Sequence, residues 1–474
     1  MKALMLVPPS FGRFDGVGAR CQGTRRTKSM WYPIWLAHAA AAASGSTLHD
    51  SVASGEGVEG ALEYASRFDM VFIHPSEGSL PLDMKFVSRL KDAKPGVLVA
   101  CGGQSATVLA REILSAYPQV DGVAIDEYDL TVKDAVGRGT LDVAGVLHRD
   151  GFEPRPKPAD LDALGWVSPV YKRDLDIPSY YLPFVTRPYV QIYDSRGCTA
   201  RCTFCLTPQT YTSEHSTARR SFPIRYRSVA DVEAEMAYIR DSLPEVREVF
   251  IDSDTFTDHA NVQSGRFYEM CAALRRVGLK WSCNVRADAK GPVLEALKRS
   301  GCRLMVVGYE SMDDGVLRGI KKGVSARQAE AFTQDAERLG LMIQACFVVG
   351  LPGETRRTFE KTLRFALRHD FSNLQVAPAH AFRGTELYAT ASALGYIGGA
   401  MLDSKGRQLP QMSQPRFSSA DASLAIEEFL HACLYRPRFL LRVLRDMGRG
   451  GGEAERILRN VREFGLDSIQ RKLR

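Results

Sequence analysis

The sequence predicts an α/β protein in three parts: an N-terminal doubly wound parallel sheet, a partial (β/α)6 barrel, and a small helical region beyond it. Three observations predict this. Short apolar runs alternate with amphipathic stretches in two separate series, the pattern of buried parallel strands with covering helices. A proline-rich tract divides the two series. Three cysteines follow the first strand of the second series, at the end of a strand where α/β proteins place their chemistry. With about 150 residues per domain as a guide, the 474 residues divide into 1–150, a linker at 151–188, the barrel at 189–399 and the helical region at 400–474.

In the first series, residues 3–7, 70–74, 97–101 and 120–125 read as buried strands, and residues 82–93 and 105–116 as helices. An open sheet of this kind binds ligands at the carboxyl ends of its strands. The loops there are Pro8-Pro9-Ser10, Pro75-Ser76-Glu77-Gly78, Gly102-Gly103-Gln104-Ser105 and Asp126-Glu127-Tyr128-Asp129. From 151 to 188 the prolines at 154, 156, 158, 169, 178, 183 and 188 mark an irregular linker packed against a neighbour. The second series follows, with strands at 190–193, 249–252, 281–285, 304–307, 343–349 and 374–377. Helices at 229–241, 292–300, 326–339 and 357–369 separate them, and residues 420–435 and 437–447 read as helices of the last region.

Composition narrows the function. The charged and apolar fractions are those of a soluble protein, and no apolar run reaches the roughly 18 residues that span a bilayer. The alanine-rich stretch from Trp35 to Ala43 is too short and is broken by His38. A cytoplasmic protein is expected. Ten cysteines, several in apolar strand-like runs, suit a reducing compartment. Two arginine clusters stand out: Arg219, Arg220, Arg225 and Arg227, and then Arg436, Arg438, Arg442, Arg445 and Arg449. Such clusters bind nucleic acid or anionic lipid heads, and more often form a solvated surface.

The chemistry centres on Arg196-Gly197-Cys198-Thr199-Ala200-Arg201-Cys202-Thr203-Phe204-Cys205. Three clustered thiolates at C-x3-C-x2-C can hold a [4Fe-4S] cluster by three irons, leaving the fourth open to a small molecule. A structural zinc site is normally closed by a second ligand pair, which His215 and Cys271 do not supply in pattern. A disulfide framework does not suit dispersed cysteines in a chain without a secretory signal.

This run resembles the cluster loop of the radical SAM enzymes, in which S-adenosylmethionine (SAM) chelates the free iron and is cleaved to a 5′-deoxyadenosyl radical. The resemblance implies that Cys198, Cys202 and Cys205 are the cluster ligands and catalytic core, with Phe204 near the adenine. It further implies that Asp252, Ser253 and Asp254 meet the amino group of SAM, Arg286 its carboxylate and Glu310 the ribose, while Gly350 and Pro352 border the adenine. The residue types suit these partners: a zwitterionic methionine needs a cation and an acceptor, and a ribose diol suits a carboxylate. Taken one at a time, Glu310 or Arg286 also reads as half of an ordinary ion pair.

The N-terminal part resembles the Rossmann-like cobalamin-binding domain of one radical SAM subgroup. Gly102-Gly103-Gln104-Ser105-Ala106-Thr107 matches its glycine-rich loop and Asp126-Glu127-Tyr128-Asp129 its acidic turn. The resemblance implies a cobalamin site at Ser10, Gly102, Gly103, Ser105, Thr107 and Glu127. The D-x-H-x-x-G signature is absent, so a protein histidine below the cobalt is not implied. Pro8-Pro9-Ser10-Phe11, Phe14-Asp15-Gly16, the run from Trp31 to Ala37 and the acidic run from Asp252 to Asp258 are similar to the hopanoid-biosynthesis branch of this subgroup. Trp31, Tyr32 and Trp35 either line a cavity or form a packed segment.

Together these readings imply an enzyme that abstracts hydrogen from an unactivated carbon and methylates it, using a [4Fe-4S] cluster, SAM and cobalamin. The expected partners are a small-molecule or lipid-like substrate and a flavodoxin- or ferredoxin-type electron donor, with peripheral membrane contact open and no nucleic acid. The competing readings are a radical SAM carbon-carbon cyclase acting on a polyol, a tRNA-modifying or RNA-binding protein, and a non-catalytic scaffold.

Overall fold

The computed structural model describes residues 1–9, 30–207, 224–402, 408–450 and 452–472, with side chains described as far as 462. Two six-stranded sheets dominate it. The first is built from β1 (Ala3–Val7), β2 (Thr47–Asp50), β3 (Met70–Ile73), β4 (Leu98–Gly102), β5 (Gly122–Ala124) and β6 (Val146–Leu147), in the order β2-β1-β3-β4-β5-β6. All pairs are parallel except β5 with β6. The strands are almost wholly apolar because both faces are covered. Alternate residues feed two cores: Ala3, Met5, Met70 and Phe72 on one face, Leu4, Leu6, Val71 and Ile73 on the other. The order reverses between β1 and β3, and a doubly wound sheet opens a crevice at that switch point.

The second sheet contains β7 (Tyr189–Ile192), β10 (Glu248–Ile251), β11 (Lys280–Val285), β12 (Cys302–Glu310), β13 (Met342–Val349) and β14 (Asn373–Pro378). A short antiparallel ribbon, β8 (Ser195–Arg196) with β9 (Arg225–Tyr226), lies between β7 and β10 in the chain. The sheet order β14-β13-β12-β11-β10-β7 is parallel throughout, giving six strands of an open barrel. Its helices begin where local chemistry allows: Ser325 and Thr355 each close a capping box on the helices Ala326–Arg338 and Arg356–Arg368.

The proline-rich tract is more ordered than its composition suggests. It carries the helix Val167–Asp174, whose Val167, Val170 and Tyr171 are buried, and it packs on both sheets. Tyr171 donates to the Gln191 carbonyl of β7 (3.1 Å), while Asp174 accepts from the Leu48 amide of β2 (2.8 Å). The alanine-rich stretch is the helix Ile34–Ala42, buried along most of its length in a core shared by both sheets.

Several expectations need correction. The helix expected at 105–116 is two helices, Gln104–Val108 and Ala110–Ala116, which meet at Leu109. Two strands of the first sheet escape the periodicity: β2 carries His49 and Asp50 beside its apolar residues, and β6 is two residues long. The helix Glu453–Lys472 was also unexpected, its charge masking its apolar stripe. The arginine clusters are only partly surface: Arg227 is buried against Asp231 and Glu235, and Arg442 against Asp370 and Asp446. Arg219 and Arg220 lie outside the described residues.

Candidate active site

The cysteine loop leaves β7 at the carboxyl end of the barrel sheet, and the strand ends beside it supply the surrounding polar groups. The loop is pinned by neighbours rather than by its thiols. Asp254, beyond β10, accepts from the Gly197 amide (3.1 Å) and from the Thr207 hydroxyl (3.2 Å), bracketing all three cysteines. Thr199 donates to Asp258 (2.7 Å), and the Thr203 amide donates to the Ile320 carbonyl (3.0 Å). None of the three cysteines is in a disulfide. Burial pushes the Cys198 thiol up to about 11 and the Cys205 thiol up to about 12, each raised further by the charge of Cys202 and Asp254.

Among the described residues, no three His, Cys, Asp or Glu side chains close around a single ion. A [4Fe-4S] cube is a body with a separate iron for each cysteine, so its ligands surround a volume instead of converging on a point. The donor set of three free thiols on one pinned loop fits such a cluster.

Around this loop, Arg286 lies just past β11, 15% exposed in its side chain, and donates to Asp288 (3.3 Å) and to the Lys322 carbonyl (3.2 Å). Glu310 ends β12 with φ +60° and accepts from Lys322 Nζ at 2.8 Å. Burial works against the charge of Lys322, but Glu310 and Cys202 outweigh it and raise its pKa. Lys322 thus links the carboxylate to the cysteine loop, and sequence reasoning did not single it out. Asp252 is buried and accepts from Gln191 (2.6 Å) and Asn284 (2.8 Å), while Ser253 accepts from the Asp194 amide (3.0 Å). These two residues brace the strand ends. Gly350 adopts φ +90° after β13, with its carbonyl held by Gln414 (2.9 Å); half-buried Pro352 follows. Phe204 packs on an apolar cluster that includes Val316, Ile320 and Leu351.

On the other side, the first sheet meets the loop through Arg196. Its guanidinium is buried, forks onto Asp129 at 2.6 and 3.0 Å, reaches Glu127 at 3.0 Å, and lies 4.8 Å over the Trp35 ring. Burial opposes the Asp129 charge, yet Arg196 holds that carboxyl below its usual range. Glu127 also pairs with Arg225, so it is engaged with the barrel side. Thr107 accepts from the Asp126 amide (2.8 Å), and Ser105 is buried. Ser10 lies outside the described residues, as do Phe11, Phe14, Asp15 and Gly16.

Gly102 and Gly103 are required by close packing. A Cβ on Gly102 would stand 2.8 Å from the Tyr128 ring, and one on Gly103, at φ +100°, would stand 2.2 Å from the His74 ring. His74 follows β3 at the switch point, stacks toward Trp35, and shares a 2.9 Å hydrogen bond between Nδ1 and the Tyr128 hydroxyl. Burial lowers its pKa to about 4, leaving it neutral. Its exit from a strand was visible in sequence, but its aromatic surroundings, assembled from distant positions, were not. Tyr32 is fully packed, stacked 4.0 Å from Tyr180, and Trp31 packs edge-on to Phe184 and Phe250. Of the three aromatics, Trp35 alone joins His74 and Arg196 beside the loop.

The chain is similar to known proteins in sequence and in fold. The chain is 25% identical over 377 residues to an uncharacterized methyltransferase of Pyrococcus horikoshii, covering 74% of this chain and 75% of that one. It is 28% identical over 238 residues to the cytidylyl-2-hydroxyethylphosphonate methyltransferase of Streptomyces wedmorensis, covering 47% and 41%. In structure it matches TsrM, a radical S-adenosylmethionine methyltransferase of Kitasatospora setae solved with cobalamin and a [4Fe-4S] cluster bound. That match has a TM-score of 0.67 at 13% identity and covers 97% of this chain and 99% of TsrM. These relatives do not bear on the hopanoid branch. The family model of the radical SAM superfamily matches residues 192–366, the segment that runs from the end of β7 through the helix after β13, and this part of the chain is a radical SAM domain.

Proposed function

We propose that the protein is a cobalamin-dependent radical SAM enzyme that methylates a carbon of a small-molecule substrate. The observation that carries this reading is the pinned loop of three free cysteines at the barrel mouth, joined through Arg196 to the acidic turn of the first sheet and to Trp35 and His74 at its switch point. When bound, a [4Fe-4S] cluster supplies the electron that cleaves SAM, and a corrin supplies a transferable methyl group.

The chain's own residues have separable roles in this reading. Cys198, Cys202 and Cys205 hold the cluster. Arg286, already fixed by Asp288 and the Lys322 carbonyl, presents its guanidinium to the SAM carboxylate. Glu310, held by Lys322, accepts from the ribose hydroxyls. Asp254 shapes the loop beside the amino group, with Asp252 and Ser253 bracing it from behind. Phe204, Gly350 and Pro352 form the apolar edge for the adenine. At the first sheet, Gly102 and Gly103 make room for the Tyr128 and His74 rings, and these two rings would form the apolar wall against which a corrin lies. Ser105, Thr107 and Glu127 are assigned to that face, Glu127 through its pairs with Arg196 and Arg225. An external flavodoxin- or ferredoxin-type protein would deliver the electron.

The test is anaerobic turnover with methyl-labelled SAM and candidate substrates. Label found on product carbon, with 5′-deoxyadenosine or S-adenosylhomocysteine formed, supports the proposal; an isobaric or dehydrated product would favour ring closure instead.

A further inference from the structure

The helix Pro437–Met447 is inside out. Its buried residues are Arg442 and Asp446, bonded to the body of the protein: Arg442 reaches Asp370 (3.1 Å), Asp446 (3.0 Å) and the Ser372 hydroxyl (2.7 Å). Its leucines face outward, with Leu440 55%, Leu441 67% and Leu444 64% exposed. Positions i, i+1 and i+4 share one helix face, so the three leucines form a single apolar stripe. The following helix, Glu453–Lys472, packs beside it and exposes Leu458 and Val461; Tyr435, just before the first helix, is exposed as well. The arrangement is held from within, by Glu453 with Arg303 (2.7 Å) and by Arg456 with the Pro183 carbonyl (2.7 Å), so the apolar face is presented by a fixed scaffold.

Charge identifies what would cover it. Residues 436–450 contain five arginines and one acid, Asp446, which is buried. Arg438 and Arg445 are exposed on the helix that carries the leucines, Arg445 while pairing with Asp370 at 2.8 Å. A second copy meeting this face across a two-fold axis would set arginines against arginines. Leucines bordered by arginines instead match an anionic lipid surface, whose acyl layer takes the apolar stripe while its headgroups take the guanidinium groups.

We propose that the helix Pro437–Met447, together with Leu458 and Val461 of the helix beside it, forms a docking face for an anionic lipid surface. The helix lies in the interface without crossing it; no described helix is long and apolar enough to span a membrane. The proposal does not depend on the reading of the barrel mouth.

The test is co-sedimentation of the full chain with phosphatidylcholine vesicles, with and without phosphatidylglycerol. Binding is expected only with phosphatidylglycerol, and weaker as salt is raised. Leu441→Glu with Leu444→Glu should weaken it at least about tenfold, and Arg438→Gln with Arg445→Gln should weaken it and flatten the salt dependence. Equal binding to phosphatidylcholine alone would overturn the anionic surface. Absence of vesicle binding would overturn the proposal, and so would a concentration-dependent dimer in analytical ultracentrifugation that the leucine substitutions abolish, because that result assigns the face to a second copy. Circular dichroism of each variant separates lost docking from lost folding.

Discussion

Glu310 owes its place to a neighbour without a side chain. A Cβ on Gly308 would stand 2.4 Å from the Glu310 carboxylate and 3.0 Å from Lys322 Nζ, so the carboxylate occupies the space that any other residue at 308 would fill. Gly308→Ala is expected to displace Glu310 and weaken SAM binding about tenfold, a loss of about 1.4 kcal/mol, with iron content unchanged. Isothermal titration under anaerobic conditions reads this; unchanged affinity removes Glu310 from the ribose. Arg286→Gln removes a charge-assisted contact, which is worth about 1.5–3 kcal/mol, and should raise the SAM dissociation constant by roughly ten- to a hundredfold while the cluster still assembles. At this scale the sequence was most readable. Cysteine spacing is set by the cluster itself and survives as a motif, and Glu310 and Arg286 sit at strand ends that periodicity locates. Lys322 was not readable, because its importance lies in a contact with a residue twelve positions earlier, across the short helix Asp314–Gly319.

At the scale of elements, the junction between the two sheets rests on Arg196. It belongs to the ribbon strand β8, yet its partners Glu127 and Asp129 lie in the acidic turn of the first sheet, and all three are buried. Removing one partner of a buried pair leaves the others uncompensated, so Arg196→Ala is expected to cost about 3–5 kcal/mol. Arg196→Lys should recover only part of that, since an ammonium cannot fork across two carboxylates while lying flat on Trp35. Denaturant unfolding of both variants checks the order; full recovery by lysine would contradict the bidentate role. Here the sequence was only half legible. The twelve strands of the two main sheets divide into ten that announce themselves by apolar runs and two, β2 and β6, that do not. The first of those two is an edge strand with polar residues, and the second is too short to show a period. Pairings such as Arg196 with Asp129 span 67 positions and leave no local trace.

Across the whole molecule, the two sheets share one core, and two neutral histidines lie against it, His38 buried and His74 half-buried. Burial lowers His38 to about 3 and His74 to about 4; Arg196 reinforces the effect on His38. Among the described residues the His38 ring nitrogens have no hydrogen-bond partner, and the ring stacks 5.7 Å from Tyr193. A histidine with a depressed folded pKa contributes stability above its unfolded value, near 6.5, and loses that contribution as pH falls through the folded value. Stability should therefore decline from about pH 6.5 toward pH 3. His38→Leu should make that decline shallower in thermal melts; an identical acid limb in the variant would show that His38 is not buried neutral. No sequence pattern showed this shared core, because the helix Ile34–Ala42 and the helix Val167–Asp174 acquire their partners only when both sheets are in place.

Three thiols on one loop are proposed to hold an iron–sulfur cube, with a corrin bound at the neighbouring first sheet. The most direct measurement is the anaerobic ultraviolet-visible spectrum of the reconstituted protein together with its iron and cobalt content. The expected result is broad iron–sulfur absorption with about four irons per chain, one corrin with its cobalt, and loss of the iron, but not the cobalt, when Cys198, Cys202 or Cys205 is changed to alanine. A colourless chain after reconstitution, or iron content unmoved by those substitutions, would contradict it.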